Sequence, residues 1–151
     1  MIINGKGVSL TDKLDDVKEV WNRFKDFQHV FLATTEGDQP RVRPVTLIYF
    51  DKRFWITTGT SDAKVKQIQG NPKVELCLLL TEGDRDLYVR AAGLAKIIED
   101  KETKGKMARH CDFFSEHWES VDDPNYTLLE VCPTEVEYLR PGEITARKFR
   151  L

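Results

Sequence analysis

The chain has 151 residues, 40% hydrophobic and 32% charged, with a formal net charge of −2. That length suits one domain spanning residues 1–151, burying about 68–70% of the surface its unfolded form exposes, and the composition is that of an ordinary soluble protein rather than a disordered chain. The longest apolar run, Leu76 to Leu80, falls far short of the ~20 residues that span a bilayer. The opening MIINGKGVSL lacks a basic-then-apolar signal pattern, so a cytoplasmic address with no membrane partner is expected. Nearly balanced charge without a Lys/Arg stripe argues against nucleic acid as a partner.

Ser9-Leu10-Thr11-Asp12 fits a helix cap, and Leu14, Val17, Val20, Trp21, Phe24 and Phe27 follow at helical spacing, the apolar face of a first helix. Periodicity alone explains these aromatics as core. His29 to Thr35 reads as a strand, Glu36-Gly37-Asp38 as a tight turn and Arg41 to Phe50 as the partner strand. Period two puts Arg41, Arg43, Val45, Leu47 and Tyr49 on one face and Val42, Pro44, Thr46, Ile48 and Phe50 on the other. Pro44 cannot donate to a ladder, so it marks an edge or a bulge. Asp51-Lys52-Arg53 turns the chain into a third strand, Phe54 to Thr58. A short helix from about Asp62 to Gln69 stops at Gly70-Asn71-Pro72.

Val74 to Leu80, apolar except Glu75, predicts a central strand, and Asp86 to Ile98 a long one bent at Gly93. Residues from about Asp100 to Trp118 predict a helix with Met107, Cys111, Phe114 and Trp118 on one side. Tyr126 to Val131 and Thr134 to Tyr138 close the sheet with a break at Pro133. The basic tail from Arg140, with Arg147, Lys148 and Arg150, reads as a solvated end, or else as a lid on a partner's site.

Cys77, Cys111 and Cys132 are odd in number and widely spaced, without a C-x-x-C pair, and Cys77 and Cys132 read as buried reduced thiols. His110, Cys111 and His117 are the one cluster with metal-ligand chemistry. His110 and His117 share a face if the helix persists, but Asp112, Phe113 and Phe114 supply no clear third ligand, and no metal is expected.

The densest chemistry lies between Pro40 and Leu80. Arg43, Thr46, Thr57, Thr58, Ser61 and Lys64 cluster around the corner between the third strand and the short helix. A phosphate monoester needs cationic groups for its charge and hydroxyl or backbone N–H donors for its lone pairs. Gly59 can take a positive φ, and Ser61 or Asp62 can cap the helix, whose first N–H groups then form an anion site. The same residues also suit a plain surface hairpin followed by a capped amphipathic helix.

The order and spacing of these residues resemble the FMN-binding half of the pyridoxamine 5′-phosphate oxidase-like family, the FMN-binding split β-barrels, and most of all its short, general-stress-protein-26-like branch. The resemblance covers roughly residues 28 to 140. It rests on Arg43, then Pro44, Val45 and Thr46, then Thr57-Thr58, then Lys64, with Gln67-Ile68, Asn71-Pro72 and the strand Val74 to Leu80 after them. Phe113 to Trp118, Asp122 to Tyr126 and Leu128 to Tyr138 also have counterparts. The resemblance implies a mainly β (α+β) Greek-key split barrel with an N-terminal helix and small peripheral helices. It also implies FMN as cofactor and a homodimer with FMN at the subunit interface. By the same resemblance Arg43 and Lys64 neutralise the FMN phosphate, Thr57, Thr58 and Ser61 add hydroxyl bonds, and the backbone from Pro44 to Thr46 faces the ring edge. Trp118 lies on or near the ring from the neighbouring subunit, or else belongs to the core. His117 is expected to play no part in FMN binding, and no catalytic residue announces itself.

Two functional readings stay open: an FMN-dependent oxidoreductase acting on a small electron acceptor or donor, and a flavin-binding module for storage, sensing or stress protection. A variant of either is the same barrel using the deazaflavin F420 or haem.

The chain departs from the true pyridoxamine phosphate oxidases on the substrate side. Ala63 stands where they carry an Arg before the helix Lys, and Ile48 where they carry a substrate-binding Lys. Glu137-Tyr138-Leu139 and Ile144-Thr145-Ala146-Arg147 replace their Glu-Phe-Trp and Arg-Leu-His-x-Arg closing segment. Incubation with pyridoxamine 5′-phosphate, FMN and oxygen is therefore expected to give no pyridoxal phosphate above background. Formation at a rate comparable with a genuine oxidase would overturn this.

Overall fold

The computed structural model describes residues 10–151, with side chains from Leu14 onward, so the expected cap over Ser9 to Asp12 lies outside the described residues. A first helix, α1 (Leu10–Asn22), leads into strands β1 (Phe27–Glu36), β2 (Gln39–Phe50) and β3 (Arg53–Gly59), helix α2 (Ala63–Gly70), and strands β4 (Lys73–Glu82) and β5 (Arg85–Ile98). Helix α3 (Lys101–His110), one 3₁₀ turn (Phe114–Glu116), and strands β6 (Tyr126–Leu139) and β7 (Arg147–Arg150) complete the chain.

The sheet has seven strands in the order β3-β2-β1-β4-β5-β6-β7, and β3 pairs again with β6. That second pairing closes six strands into a ring, with β7 as a branch on β6. Strands β1, β2 and β3 are hairpin-connected, and β4 returns through α2 to lie beside β1. This spatial order, 4-1-2-3, is a Greek key. The expected fold class, a mainly antiparallel split barrel with small helices, is what the chain adopts.

Both hairpin turns among the first three strands are two residues long. Gly37 opens the first with φ +62°, while Asp51 and Lys52 build the second with φ of 55° and 58°. Two successive positive φ values match the right-handed twist of the flanking strands, and they also put a bulky lysine in the left-handed region.

Inside the ring, alternate residues meet in one core: Val30 and Leu32 of β1, Val45 and Leu47 of β2, Phe54 and Ile56 of β3, and Leu76 and Leu78 of β4. Val20 and Phe24 close one end of it. Outside, Ile48, Trp55 and Leu128 form a second cluster with Met107, Cys111, Phe114, Trp118 and Tyr126, which seats α3 and the 3₁₀ turn on the barrel wall.

Several expectations are corrected. Helix α1 ends at Asn22, and the chain turns before the helical phase reaches Phe27, which opens β1 exposed and stacked on His110; Leu14 is exposed as well. Strand β4 is buried on one face only, because a ring has one interior, and Leu79 points outward. The helix expected to reach Trp118 stops at His110, where Cys111 turns extended. The spacing of Met107, Cys111, Phe114 and Trp118 nevertheless holds, since the 3₁₀ turn returns the last two to the same cluster. His110 and His117 therefore share no helix face, and His110 is hydrogen-bonded to Asp26 at 2.7 Å. Among the described residues, no three His, Cys, Asp or Glu side chains gather as metal ligands. Cys77 and Cys132 are half-buried rather than buried. Cys111 is the buried thiol, and burial together with the charges of Asp26 and Asp112 pushes it up to about 11.

The tail is no solvated end. Phe149 of β7 joins the main core, and Arg147 grips the buried Asp16 carboxylate at 3.0 Å. Strand β6 runs straight through Pro133 because the register shifts there: Gly93 faces Pro133 and Ala92 faces Glu135, leaving Thr134 as the extra residue of a bulge.

A methyl group on Gly93 would collide with the Cys132 carbonyl oxygen and lie 2.7 Å from the Pro133 Cα. Gly93→Ala should cost about 2–3 kcal/mol in denaturant unfolding, since backbone on both strands must shift. Lys52→Gly should add about 0.5–1 kcal/mol by relieving the left-handed lysine. No change in either midpoint would contradict the turn and bulge geometry.

Candidate functional site

The ladder between β2 and β3 lasts only three pairs, Ile48 with Trp55, Tyr49 with Phe54 and Phe50 with Arg53. Beyond them β3 keeps pairing with β6 from Phe54 to Gly59, and β2 keeps pairing with β1 through Thr46, Val45 and Pro44. The two strands thus part, and their facing edges need other partners for their N–H and C=O groups. Pro44 stands where the ladder is lost, the position at which a missing N–H costs least.

A cavity of ≈ 410 Å³ opens in this split. Pro44, Val45 and Thr46 form one lip, Ile56 to Gly59 the other, Lys64 of α2 stands at the corner, and Phe113, His117 and Trp118 supply an aromatic wall. The volume lies within the roughly 300–1,000 Å³ of small-molecule sites. A second cavity of ≈ 370 Å³ is lined by Glu99, Lys101, Lys104, Asp122 and Asp123. Its Lys101 and Asp122 already pair at 3.1 Å, so it offers less free charge to a ligand.

Lys64 is the electrostatic centre of the split. It is buried, and its Nζ donates to Thr58 Oγ1 at 2.8 Å and lies 2.9 Å from Asp62 Oδ1. Asp62 is the N-cap of α2 and also accepts from the Lys64 backbone N–H at 3.1 Å. Burial opposes the Asp62 charge, but the Lys64 hydrogen bonds and the charges of Lys64 and Arg43 outweigh it and hold the carboxyl below its ordinary value. Arg43 points to the inner face of the ring. Its Nη1 donates to the Leu32 carbonyl at 3.2 Å and Thr34 Oγ1 at 2.7 Å, and its Nη2 to Gln67 Oε1 at 2.6 Å. Burial lowers its pKa, with Asp62 opposing and Arg41 assisting, yet a guanidinium stays charged.

Of the residues singled out in the sequence, Pro44, Val45, Thr46, Thr57, Thr58, Lys64 and Trp118 come together in the lining. Arg43 and Ser61 lie outside it: Arg43 is tied beneath α2, and Ser61 is exposed on the preceding turn, leaving the cap to Asp62. Trp118 lines the cavity of its own chain, held by a bond from its Nε1 to the Asn125 carbonyl at 3.0 Å. Ile56, Gly59, Phe113 and His117 were not foreseen in the lining, and His117 was expected to stand apart. The break after Cys111 that swings Phe113 and His117 over the split carries no helix-stop residue. The aromatic density from Phe113 to Trp118 was the available signal.

The sequence profile of the family described as pyridoxamine 5′-phosphate oxidase matches residues 16–140. The chain is 33% identical over 122 residues to general stress protein 26 of Bacillus subtilis, covering 80% of this chain and 85% of that one. Its structure is similar to that of a NimC/NimA family protein of Clostridium acetobutylicum, with a TM-score of 0.71 and 25% identity over 91% of each chain. A pyridoxamine 5′-phosphate oxidase-related, FMN-binding protein of Nostoc punctiforme shares the fold, with a TM-score of 0.67 and 20% identity, covering 93% of this chain and 90% of that one. By profile, sequence and fold together, the chain belongs to the pyridoxamine 5′-phosphate oxidase family and is similar within it to general stress protein 26.

Proposed function

We propose that this protein is an FMN-dependent oxidoreductase that passes electrons between a donor such as a nicotinamide and an unidentified small organic acceptor. One observation carries the reading. The split joins a buried ammonium and threonine hydroxyls, the chemistry that holds a phosphate, to an aromatic and apolar wall, the chemistry that holds a flat ring. The FMN-binding description of the Nostoc protein with this fold supports the same cofactor. FMN, when bound, supplies the hydride and single-electron chemistry.

The chain's own residues bind and orient. Lys64 gives charge to the phosphate. Thr58 accepts from Lys64 and so keeps its own O–H free to donate to a phosphate oxygen. Thr57 adds a hydroxyl, the backbone of Pro44 to Thr46 faces the ring edge, and Trp118 packs near it, while Ser61, exposed outside the lining, takes no part. Arg43, tied to Gln67, adds charge from behind the wall rather than a direct bond.

The assembly we infer is a homodimer. Phe31, Val42 and Leu79 are 46%, 69% and 56% exposed on the outer face of β1, β2 and β4, and Phe31 is the register partner of Pro44 at the lip. A second copy over this face would cover the apolar patch and the open side of the split together. Among the described residues no helix is long and apolar enough to cross a membrane, and we read the protein as cytoplasmic.

The first test is the visible spectrum of freshly purified protein, followed by titration of the apo form with FMN, FAD, riboflavin and haem. A flavin spectrum with FMN preferred over riboflavin is expected. Lys64→Ala should weaken FMN binding by about 1.5–3 kcal/mol, the range for bonds to charged groups. Nicotinamide oxidation should require both FMN and an acceptor. Tight FMN binding without turnover across a broad acceptor panel would replace the enzyme by a flavin-binding module, and a haem band or indifference to every flavin would remove the flavin reading.

A further inference from the structure

We propose that Asp62 competes with a ligand's phosphate for Lys64, and thereby sets how far the site favours a phosphorylated flavin over an unphosphorylated one. This deepens the flavin reading above and rests on it.

An ammonium has three N–H donors. Thr58 Oγ1 at 2.8 Å and Asp62 Oδ1 at 2.9 Å take two of those of Lys64, leaving one for a ligand. The Lys64 side chain is 8% exposed, so the charge it presents is set by protein neighbours more than by water, and the nearest is a carboxylate. A phosphate oxygen on the remaining N–H would share one nitrogen with Asp62. Two anions on one ammonium fall within the ~4–6 Å over which like charges act strongly. Arg43 does not relieve this directly, since three of its five donors serve Leu32, Thr34 and Gln67.

Helix capping does not account for the negative charge. As N-cap of α2, Asp62 needs only an oxygen to accept from the Lys64 backbone N–H, and asparagine or serine caps a helix about as well. The carboxylate therefore adds an ion pair to Lys64 that the cap does not require. With its side chain 47% exposed, Asp62 also has room to leave the ammonium when a stronger anion arrives. An unphosphorylated flavin brings no such anion, so it leaves the Asp62–Lys64 pair intact.

The test uses the full chain and measures dissociation constants of FMN and riboflavin for the wild type, Asp62→Asn and Asp62→Ser, each checked by thermal melting. Both variants keep a capping oxygen and lose the charge. FMN should bind about ten-fold more tightly to each, the size of a one-unit electrostatic shift, with riboflavin unchanged. FMN binding that is unchanged or weaker in the variants would mean that Asp62 holds Lys64 in place, overturning the proposal while the flavin reading stands. Equal tightening of FMN and riboflavin, or tightening in only one variant, would also overturn it, because charge against phosphate would not be the cause. Binding of FMN by the variants alone would support it. Indifference of all three proteins to both flavins would overturn the proposal together with the reading beneath it.

Discussion

The molecule depends on an unequal ladder. Strand β3 pairs along its length with β6 but with β2 for only three residue pairs. The first pairing closes the ring and shuts the core of Leu32, Leu47, Ile56 and Leu76 away from water. The second, cut short, leaves two strand edges facing each other across a gap. A fully zipped β2–β3 pair would satisfy the same backbone groups and leave no cavity there. The site is thus a place where the sheet stops, and its cost is a set of edge groups that need a ligand or water.

What lines the gap follows from where β3 ends. The chain leaves Gly59 into a turn capped by Asp62, and α2 runs back over the ring, so that Gln67 reaches Thr34 and Arg43 inside while Lys64 reaches Thr58 at the split. One short helix therefore carries two polar connections, one to β1 and β2 and one to β3. A buried cation without partners would be strongly destabilising, and Lys64 is tolerated because Thr58 and Asp62 answer it. The same arrangement leaves a single N–H of Lys64 for anything else, so stability and the proposed binding draw on the same group.

The second cluster supplies the remaining wall. Trp118 packs on Phe114 and Tyr126 with ring centroids 5.3 Å and 5.1 Å apart, and its indole N–H is spent on the Asn125 carbonyl. A ring held in this way presents a fixed face. The 3₁₀ turn that delivers it is short, but it lies against the same β2, β3 and β6 surface that α3 covers, so the aromatic wall and the strand lips belong to one packed unit.

Much of this was legible in the residues themselves. Alternation marked the strands, Gly37 and the Asp51-Lys52 pair marked the turns, and the order of Pro44 to Thr46, Thr57-Thr58 and Lys64 marked the family and residues that line the candidate site, because these signals are local in sequence and each has its own chemistry. The roles of Arg43, Phe113 and His117 were not legible. Whether an arginine on an alternating strand faces ligand or interior depends on which face the closing ring turns inward, and whether a helix runs on past His110 depends on the cluster waiting to receive Phe114 and Trp118. The sequence by itself determined the strands and turns from β1 to β5, the position of α2 and the set of polar groups near the split, since propensity and spacing act over a few residues. Only the tertiary structure decided that β2 and β3 part, that the basic tail becomes β7 against Asp16, and that Lys64 rather than Arg43 faces the cavity. Those outcomes depend on register and burial between segments as far apart as β3 and β6, and no local pattern encodes them.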